Sequence, residues 1–387
     1  MKAGVYYGAR DIRFEEIEDL KAGPDDILVK VKSSGICGSD LHAYREGVFS
    51  RPGWVMGHEF AGEVVTVGAN VKNIKKGDRV IPYDVHRRTG VKGCGKCFWC
   101  LRGEPRYCEE TKSRQPCGKC EYCVAGQFYL CREIRRFQGI GYSRNGGYAE
   151  YVAVYNASLN NNVFKVPDNM SYDEGAIVEP LIGSIRWVAQ TEPQSRDTAV
   201  VLGLGTIGLL VMQVLKQLVS KVIVSEVSQK RLQVARELGA DLIIDASKED
   251  PVQKVVEVTG VGRSGTGRGG ARADIIMECS GAGIAFQQSL EMARAGGKIN
   301  LVGLFEKPVS IDPNRIIFKD LKLISSQGSF AGNLKGNPVL QAIDMIASGK
   351  VKAKPLISHE FPLEKIKEAF EVQSRAAESV KVLVKPK

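Results

Sequence analysis

Eight of the ten cysteines fall into two copies of one spacing, C-x2-C-x2-C-x7-C. Cys94, Cys97, Cys100 and Cys108 form the first copy, and Cys117, Cys120, Cys123 and Cys131 repeat it 23 residues later. The copies also share Gly95/Gly118, Lys96/Lys119, an aromatic (Trp99/Tyr122) and Gly103/Gly126. Four thiolates this close in sequence can surround one tetrahedral Zn2+ with Zn–S bonds of about 2.3 Å. The metal–ligand bonds then hold a loop that needs little core of its own. Disulfides are the plain alternative, but they belong to oxidising compartments and mostly to small secreted domains. Here Met1-Lys2-Ala3-Gly4 runs straight into a strand-like segment without the apolar stretch of a signal peptide. A bacterial ferredoxin run ends C-x3-C-P, whereas the last gap here is seven residues and no Pro follows Cys108 or Cys131. Neither lobe supplies the His of a DNA-reading finger. The spacing predicts structural zinc in at least one lobe and does not decide whether both are filled.

A second donor set is scattered. Cys37 opens Cys37-Gly38-Ser39-Asp40-Leu41-His42, His58-Glu59 follows about twenty residues later, and Glu179-Pro180 comes much further on. One Cys, one His and one or two Glu suit a catalytic zinc with three protein ligands and an open fourth position. Singly each residue is unremarkable: Cys37 reads as a small buried apolar residue and Glu59 as an ion-pair partner.

The elements that would position a second substrate are clearer. Thr198–Leu202 is a short apolar run followed at once by Gly203-Leu204-Gly205-Thr206-Ile207-Gly208. An amphipathic stretch from Leu209 to about Ser220 predicts a helix, and Lys221–Ser225 a second strand ending at Glu226. In this strand, G-x-G-x-x-G, helix, strand, acid order, Gly203 permits the tight turn and Gly205 lets backbone approach a pyrophosphate. Gly208 lets helix and strand pack closely. The pyrophosphate then meets Thr206 and Ile207 at the helix N-terminus, where free N–H groups point. Glu226 would accept hydrogen bonds from adenosine ribose hydroxyls, favouring NAD over NADP. Lys230 and Arg231 nearby either flank the adenine, neutralise a 2′-phosphate or are solvated. Further strands at Asp241–Ile244, Ala273–Cys279 and Gly297–Gly303 continue a doubly wound parallel sheet.

With 43% apolar and 25% charged residues, the 387-residue chain reads as globular, with length for two domains. No charge-free apolar stretch reaches membrane-span length. The net charge of +10 is modest, and much of it lies between Arg87 and Arg144 and in the Gly/Arg stretch Gly262–Arg272. That stretch reads as an enlarged surface loop, and nucleic-acid binding is not indicated. Metal thiolates and free thiols suit a reducing cytoplasm.

Read in order, Gly35–His42, Gly57–Val64, Gly77-Asp78-Arg79-Val80, one cysteine lobe, Gly146–Tyr151, Glu179-Pro180-Leu181 and Gly203–Gly208 make the chain resemble a known family. It is the zinc-dependent medium-chain alcohol dehydrogenase superfamily, most nearly the sorbitol/polyol dehydrogenase branch with its threonine 3-dehydrogenase and 2,3-butanediol dehydrogenase relatives. The resemblance implies an α/β chain in three parts. These are a GroES-like β-rich catalytic domain at 1–180 with zinc lobes at 94–108 and 117–131, a Rossmann domain at 181–320, and a C-terminal return to the catalytic domain at 321–387. Catalytic zinc would sit on Cys37, His58 and a carboxylate, Glu59 or Glu179, with Asp40 orienting His58. Ser39 and His42 would relay the substrate proton, with Glu59 a competing acceptor. NAD would lie on Gly203, Gly205, Thr206, Ile207, Gly208, Glu226 and Arg231.

The family carries one four-cysteine set. The resemblance gives that place to Cys117–Cys131 and makes Cys94–Cys108 a tandem insertion with a second structural zinc. The implied reaction is hydride transfer between a secondary alcohol, a sorbitol-like polyol or diol, and NAD. L-threonine, aldose or inositol oxidation are alternatives on this scaffold, and a zinc-stabilised NAD-binding sensor is the non-enzymatic rival. Trp54 or Tyr44 and residues near Phe305 would wall the pocket. The resemblance further implies a small-molecule alcohol partner, no nucleic acid or membrane, and a homo-oligomer, tetramer or dimer.

Overall fold

Along Ile27–Gly35 buried and half-buried residues alternate, with Ile27, Val29 and Val31 facing inward. That period of two makes a strand with one face on a core. It pairs antiparallel with Glu59–Val67, which pairs with Arg79–Pro82, which pairs with Val163–Lys165; Tyr151–Val154 also pairs with Ile27–Gly35. Ile27, Val29, Val31, Phe60, Val64, Val80, Val152 and Val154 meet in the core of this sheet. Beside it lies a small antiparallel sheet of Asp11–Glu16, Lys2–Gly8 and Trp54–Val55.

A computed structural model of the chain describes residues 1–48, 50, 52–83, 101, 139–142, 144–262, 270–325 and 337–387. The eight lobe cysteines and residues 263–269 of the Gly/Arg stretch lie outside them. Two compact units divide the chain. The antiparallel sheets belong to the first, Met1–Lys165 with Pro362–Lys367 and Val384–Lys387. The second is Val166–Phe361 with Glu368–Leu383. Helix Pro338–Ala347 is placed in the second unit by its packing on helix Val178–Gln190.

The second unit is built on six parallel strands. Their spatial order is Leu242–Asp245, Lys221–Glu226, Thr198–Leu202, Ala273–Glu278, Ala293–Leu301 and Lys322–Ser325. Numbered along the chain this is 3-2-1-4-5-6, the doubly wound order, so the crevice between strands one and four opens at their C-terminal ends. The central strands are buried on both faces and read as near-continuous apolar runs, as parallel strands must. Val200, Leu202, Ile223, Ile276, Leu290 and Ile299 form part of the core on the sheet. Helix Thr206–Leu215 is buried over most of its length, which its run of Leu, Val and Met requires. Among the described residues no helix is long and apolar enough to cross a membrane.

Candidate active site

Register brings the scattered donors together. Gly35 sits opposite Glu59 in the antiparallel pair, so Cys37 leaves one strand where His58-Glu59 enters the next. Cys37 then caps helix Gly38–Glu46, its backbone N–H donating to Asp40 Oδ2 at 3.2 Å. The ligand atoms of Cys37, His58 and Glu59 consequently all lie within 4.8 Å of one another. His58 and Glu59 are 2% and 1% exposed. Burial pushes the Cys37 thiol up; Glu59 adds to this and His58 opposes it. A thiol, an imidazole and a carboxylate this close and this dry are unfavourable as bare charges. They fit a divalent zinc ion, which neutralises the anionic ligands and suits this N, S and O donor set. Glu179, the alternative carboxylate, stands in the first turn of helix Val178–Gln190 in the second unit.

Two tyrosines surround this cluster, and neither stands out as a ligand type in the sequence. Tyr142 Oη lies 3.1 Å from His58 Nε2 and 3.4 Å from Ser39 Oγ, with its ring 4.6 Å from the imidazole centroid. Tyr148, fully buried, donates to Asp40 Oδ2 at 2.6 Å and lies 3.1 Å from Gly35 O. Asp40 Oδ1 in turn faces His58 Nδ1 at 3.7 Å. That gap exceeds a hydrogen bond, so Asp40 acts on the ring through its charge. Burial raises the Asp40 carboxyl, with His58 and Tyr148 working against the rise. His42 is one turn beyond Ser39 and its Nδ1 lies 3.2 Å from Glu46 Oε1.

Crowding explains the glycines around His58. A Cβ on Gly146 would lie 2.2 Å from Gly57 O, and one on Gly57, at φ +94°, 3.0 Å from the Tyr148 ring. Of the expected pocket walls, Tyr44 is buried in the first unit and Phe305 packs on Phe286 in the second, while Trp54 lines a cleft with Arg144, Asn145 and Tyr155.

The dinucleotide motif takes the shape its spacing predicts. Gly203 has φ +86°, a left-handed turn that favours glycine, and a Cβ there would strike Ser280 on the fourth strand's loop. Gly208 leaves no room at all: its Cβ would lie 1.9 Å from Gly203 O. Gly205 is the N-cap of helix Thr206–Leu215, and a Cβ there would meet Arg231 Nη1 at 4.0 Å, with no backbone crowding it. These are the conditions for backbone to approach a pyrophosphate at a helix N-terminus. Thr206 Oγ1 donates to Val380 O at 3.0 Å. Glu226 ends its strand nearly buried, with Oε2 accepting from Leu204 N and Oε1 from Val227 N, both at 2.7 Å, and from Ser228 N at 3.1 Å. Arg231 Nη1 lies 3.7 Å from Glu226, and its Nε donates to Ser379 O at 3.0 Å.

Known proteins match this geometry. Residues 23–115 fit the alcohol dehydrogenase GroES-like domain family, and residues 206–348 the zinc-binding dehydrogenase family. The chain is 34% identical to L-threonine 3-dehydrogenase of Bacillus licheniformis over 96% of this chain and 95% of that protein. It is 31% identical to sorbitol dehydrogenase of Halalkalibacterium halodurans over 100% and 99%. The crystal structure of 2R,3R-butanediol dehydrogenase from Bacillus subtilis superposes with a TM-score of 0.77 at 30% identity, covering 100% and 99% of the two chains. The paired catalytic and nucleotide folds, together with relatives matched end to end, establish that the chain belongs to the zinc-dependent medium-chain alcohol dehydrogenase superfamily.

Proposed function

We propose that this NAD(P)-dependent alcohol dehydrogenase oxidises a small secondary alcohol bearing a second polar group on the neighbouring carbon, a polyol or vicinal diol, with NAD+. The observation carrying this reading is the cluster of half-buried Cys37 with buried His58 and Glu59, their ligand atoms within 4.8 Å of one another. Sorbitol, butanediol and threonine, the compounds in the relatives' names, all have a carbinol next to a hydroxyl or amino carbon.

Cys37, His58 and a carboxylate, Glu59 or Glu179, would hold a zinc ion whose Lewis acidity would make an alcohol acidic near neutral pH. NAD held at Gly203, Gly205 and Gly208 would supply the hydride acceptor, and the protein's part is to orient the two reactants. The substrate proton needs a path out of a buried site. Ser39 Oγ and Tyr142 Oη, 3.4 Å apart, offer hydroxyls that can accept and pass it. His42, one helical turn from Ser39 and paired with Glu46, carries it toward solvent; Glu59 is the competing acceptor. At the other end of the cofactor, Glu226 favours a ribose diol and repels a 2′-phosphate. Arg231 already faces Glu226 and bonds Ser379 O, which weakens it as a phosphate ligand. We further place the enzyme in the cytoplasm as a homo-oligomer, and assign structural zinc to Cys117, Cys120, Cys123 and Cys131 and a second to Cys94, Cys97, Cys100 and Cys108.

A panel of sorbitol, 2,3-butanediol, L-threonine, inositol and aldoses with NAD+ and NADP+ tests the reading by nicotinamide absorbance. A polyol or diol with NAD+ should give the highest kcat/KM, and Cys37→Ser should abolish it while removing one zinc per chain. Full activity in Cys37→Ser would overturn the assignment. L-threonine is the second reading, favoured by the 34% identity to a threonine dehydrogenase.

A further inference from the structure

We infer that Tyr148 is a positioning residue for the metal centre: its phenol fixes the Asp40 carboxylate so that Oδ1 faces His58 Nδ1 and holds the imidazole in its orientation within the donor cluster. The inference rests on the proposed zinc site and adds to it a residue that touches neither metal nor substrate.

Asp40 has one oxygen to spare for each task. Oδ2 is held from two sides, by the Tyr148 hydroxyl at 2.6 Å and by the Cys37 backbone N–H at 3.2 Å. Oδ1 is thereby left toward the imidazole. The Tyr148 hydroxyl has one proton and two acceptors, Asp40 Oδ2 and Gly35 O at 3.1 Å. The shorter distance and the charge direct it to the carboxylate, because hydrogen bonds to ionised acceptors are shorter and stronger. Without the phenol, the longer Cys37 bond would be the one hydrogen bond among the described residues left to oppose rotation of Asp40 about χ2, a broad torsion for Asp.

Tyr148 is itself unable to drift. It is fully buried, its N–H donates to Met56 O at 3.2 Å, and its carbonyl accepts from Gly4 N at 2.7 Å. The ring lies against Gly57, the residue before His58, so closely that a Cβ there would be 3.0 Å away. One side chain therefore braces both supports of His58: the backbone that carries it and the carboxylate that faces it. Phenylalanine would fill the same space, and a fully buried hydroxyl costs stability unless it is bonded. Here the bond goes to the group that orients a metal ligand, and such outer partners typically change metal affinity by about 10–100-fold.

The test is Tyr148→Phe in the full-length protein, which keeps the ring packed on Gly57. Metal-stripped protein is titrated with Co2+ and then Zn2+ against a chelator. Subtracting the same titration of the Cys37→Ser counterpart isolates this centre from the cysteine lobes. Zinc affinity at the Cys37 centre should fall about tenfold or more, and the cobalt d–d bands should shift as the imidazole reorients. A residue that only filled space would alter the thermal midpoint and leave both readouts in place. Asp40→Asn should weaken zinc by a similar factor, and adding Tyr148→Phe to it should weaken zinc no further, because the phenol acts through the Asp40 charge. Zinc affinity within twofold of wild type in Tyr148→Phe, or fully additive losses in the double variant, would overturn the inference while leaving the zinc site intact. Identical titrations of wild type and Cys37→Ser would instead refute the zinc site itself, and the inference with it.

Discussion

Glu226→Gln separates two roles that one carboxylate performs. In sequence terms Glu226 is a ribose acceptor, but in the structure both of its oxygens already accept backbone N–H groups, from Leu204 on one side and from Val227 and Ser228 on the other. Glutamine has one acceptor oxygen. If its carbonyl serves Val227 and Ser228, its NH2 faces the buried Leu204 N–H; the opposite flip strands the other pair. Either way at least one charge-assisted hydrogen bond is lost, about 1.5–3 kcal/mol. Arg231, mostly buried at 3.7 Å, loses its counter-charge as well, softened by its bond to Ser379 O. A total near 3 kcal/mol corresponds to a fall in thermal midpoint of roughly 6–12 °C, at about 2–4 °C per kcal/mol for a unit of this size. The glycine turn is loosened at Leu204, so KM should rise for NAD+ and should not improve for NADP+, although the repelling charge is gone. Calorimetry and initial rates with both cofactors check the two halves. A variant that gains NADP+ activity with a midpoint within about 2 °C of wild type would show that Glu226 is only a selectivity residue, and would refute this reasoning.

Gly208→Ala places a methyl where Gly203 O lies 1.9 Å away, so the turn and helix must separate; a loss of about 3 kcal/mol and of NADH binding, followed by fluorescence, is expected, and an unchanged dissociation constant would exclude the close-packing argument. Metal analysis of purified protein should give three zincs per chain, one at Cys37 and one for each cysteine lobe; two would leave one lobe empty. Asp245 is held well below the usual carboxylate range by Ser247 first, then Lys248 and Gln229. A lowered folded pKa stabilises only while the group is ionised. The stability difference between wild type and Asp245→Asn should therefore be full above about pH 4 and shrink as pH falls further, and a difference growing in acid would contradict the hydrogen-bond assignment.

Most of the second unit was readable because its signals are local. The apolar run Thr198–Leu202 is observed as that strand, and the following one extends to Glu226 as expected. Boundaries moved where tertiary bonds intervene. The helix expected from Leu209 to about Ser220 begins earlier, because Gly205 caps it, and ends at Leu215. Beyond that, Leu218 N turns back to Leu215 O and Ser220 N is taken by Asp197 O. The strand expected at Gly297–Gly303 begins at Ala293 and stops at Leu301, since Val302 and Gly303 both donate to Glu278 O at the end of the neighbouring strand. In the first unit, Cys37, His58 and Glu59 could be named as donors by type, and register alone unites them. Tyr142 and Tyr148 could not be named, because a tyrosine's type does not reveal its partner. Tyr148 lies 108 residues from Asp40 and 113 from Gly35. The one local hint was the glycine pair before it: Gly146 has no space for a side chain beside Gly57 O, and Gly147 none beside Ser34 and Phe60. Glycines without positive φ at the end of a loop imply a segment pressed against other backbone, and the aromatic that follows such a segment is carried into whatever that backbone holds. Here it holds His58, so the Gly-Gly-Tyr run is as much a part of the proposed metal centre's construction as the proposed ligands themselves.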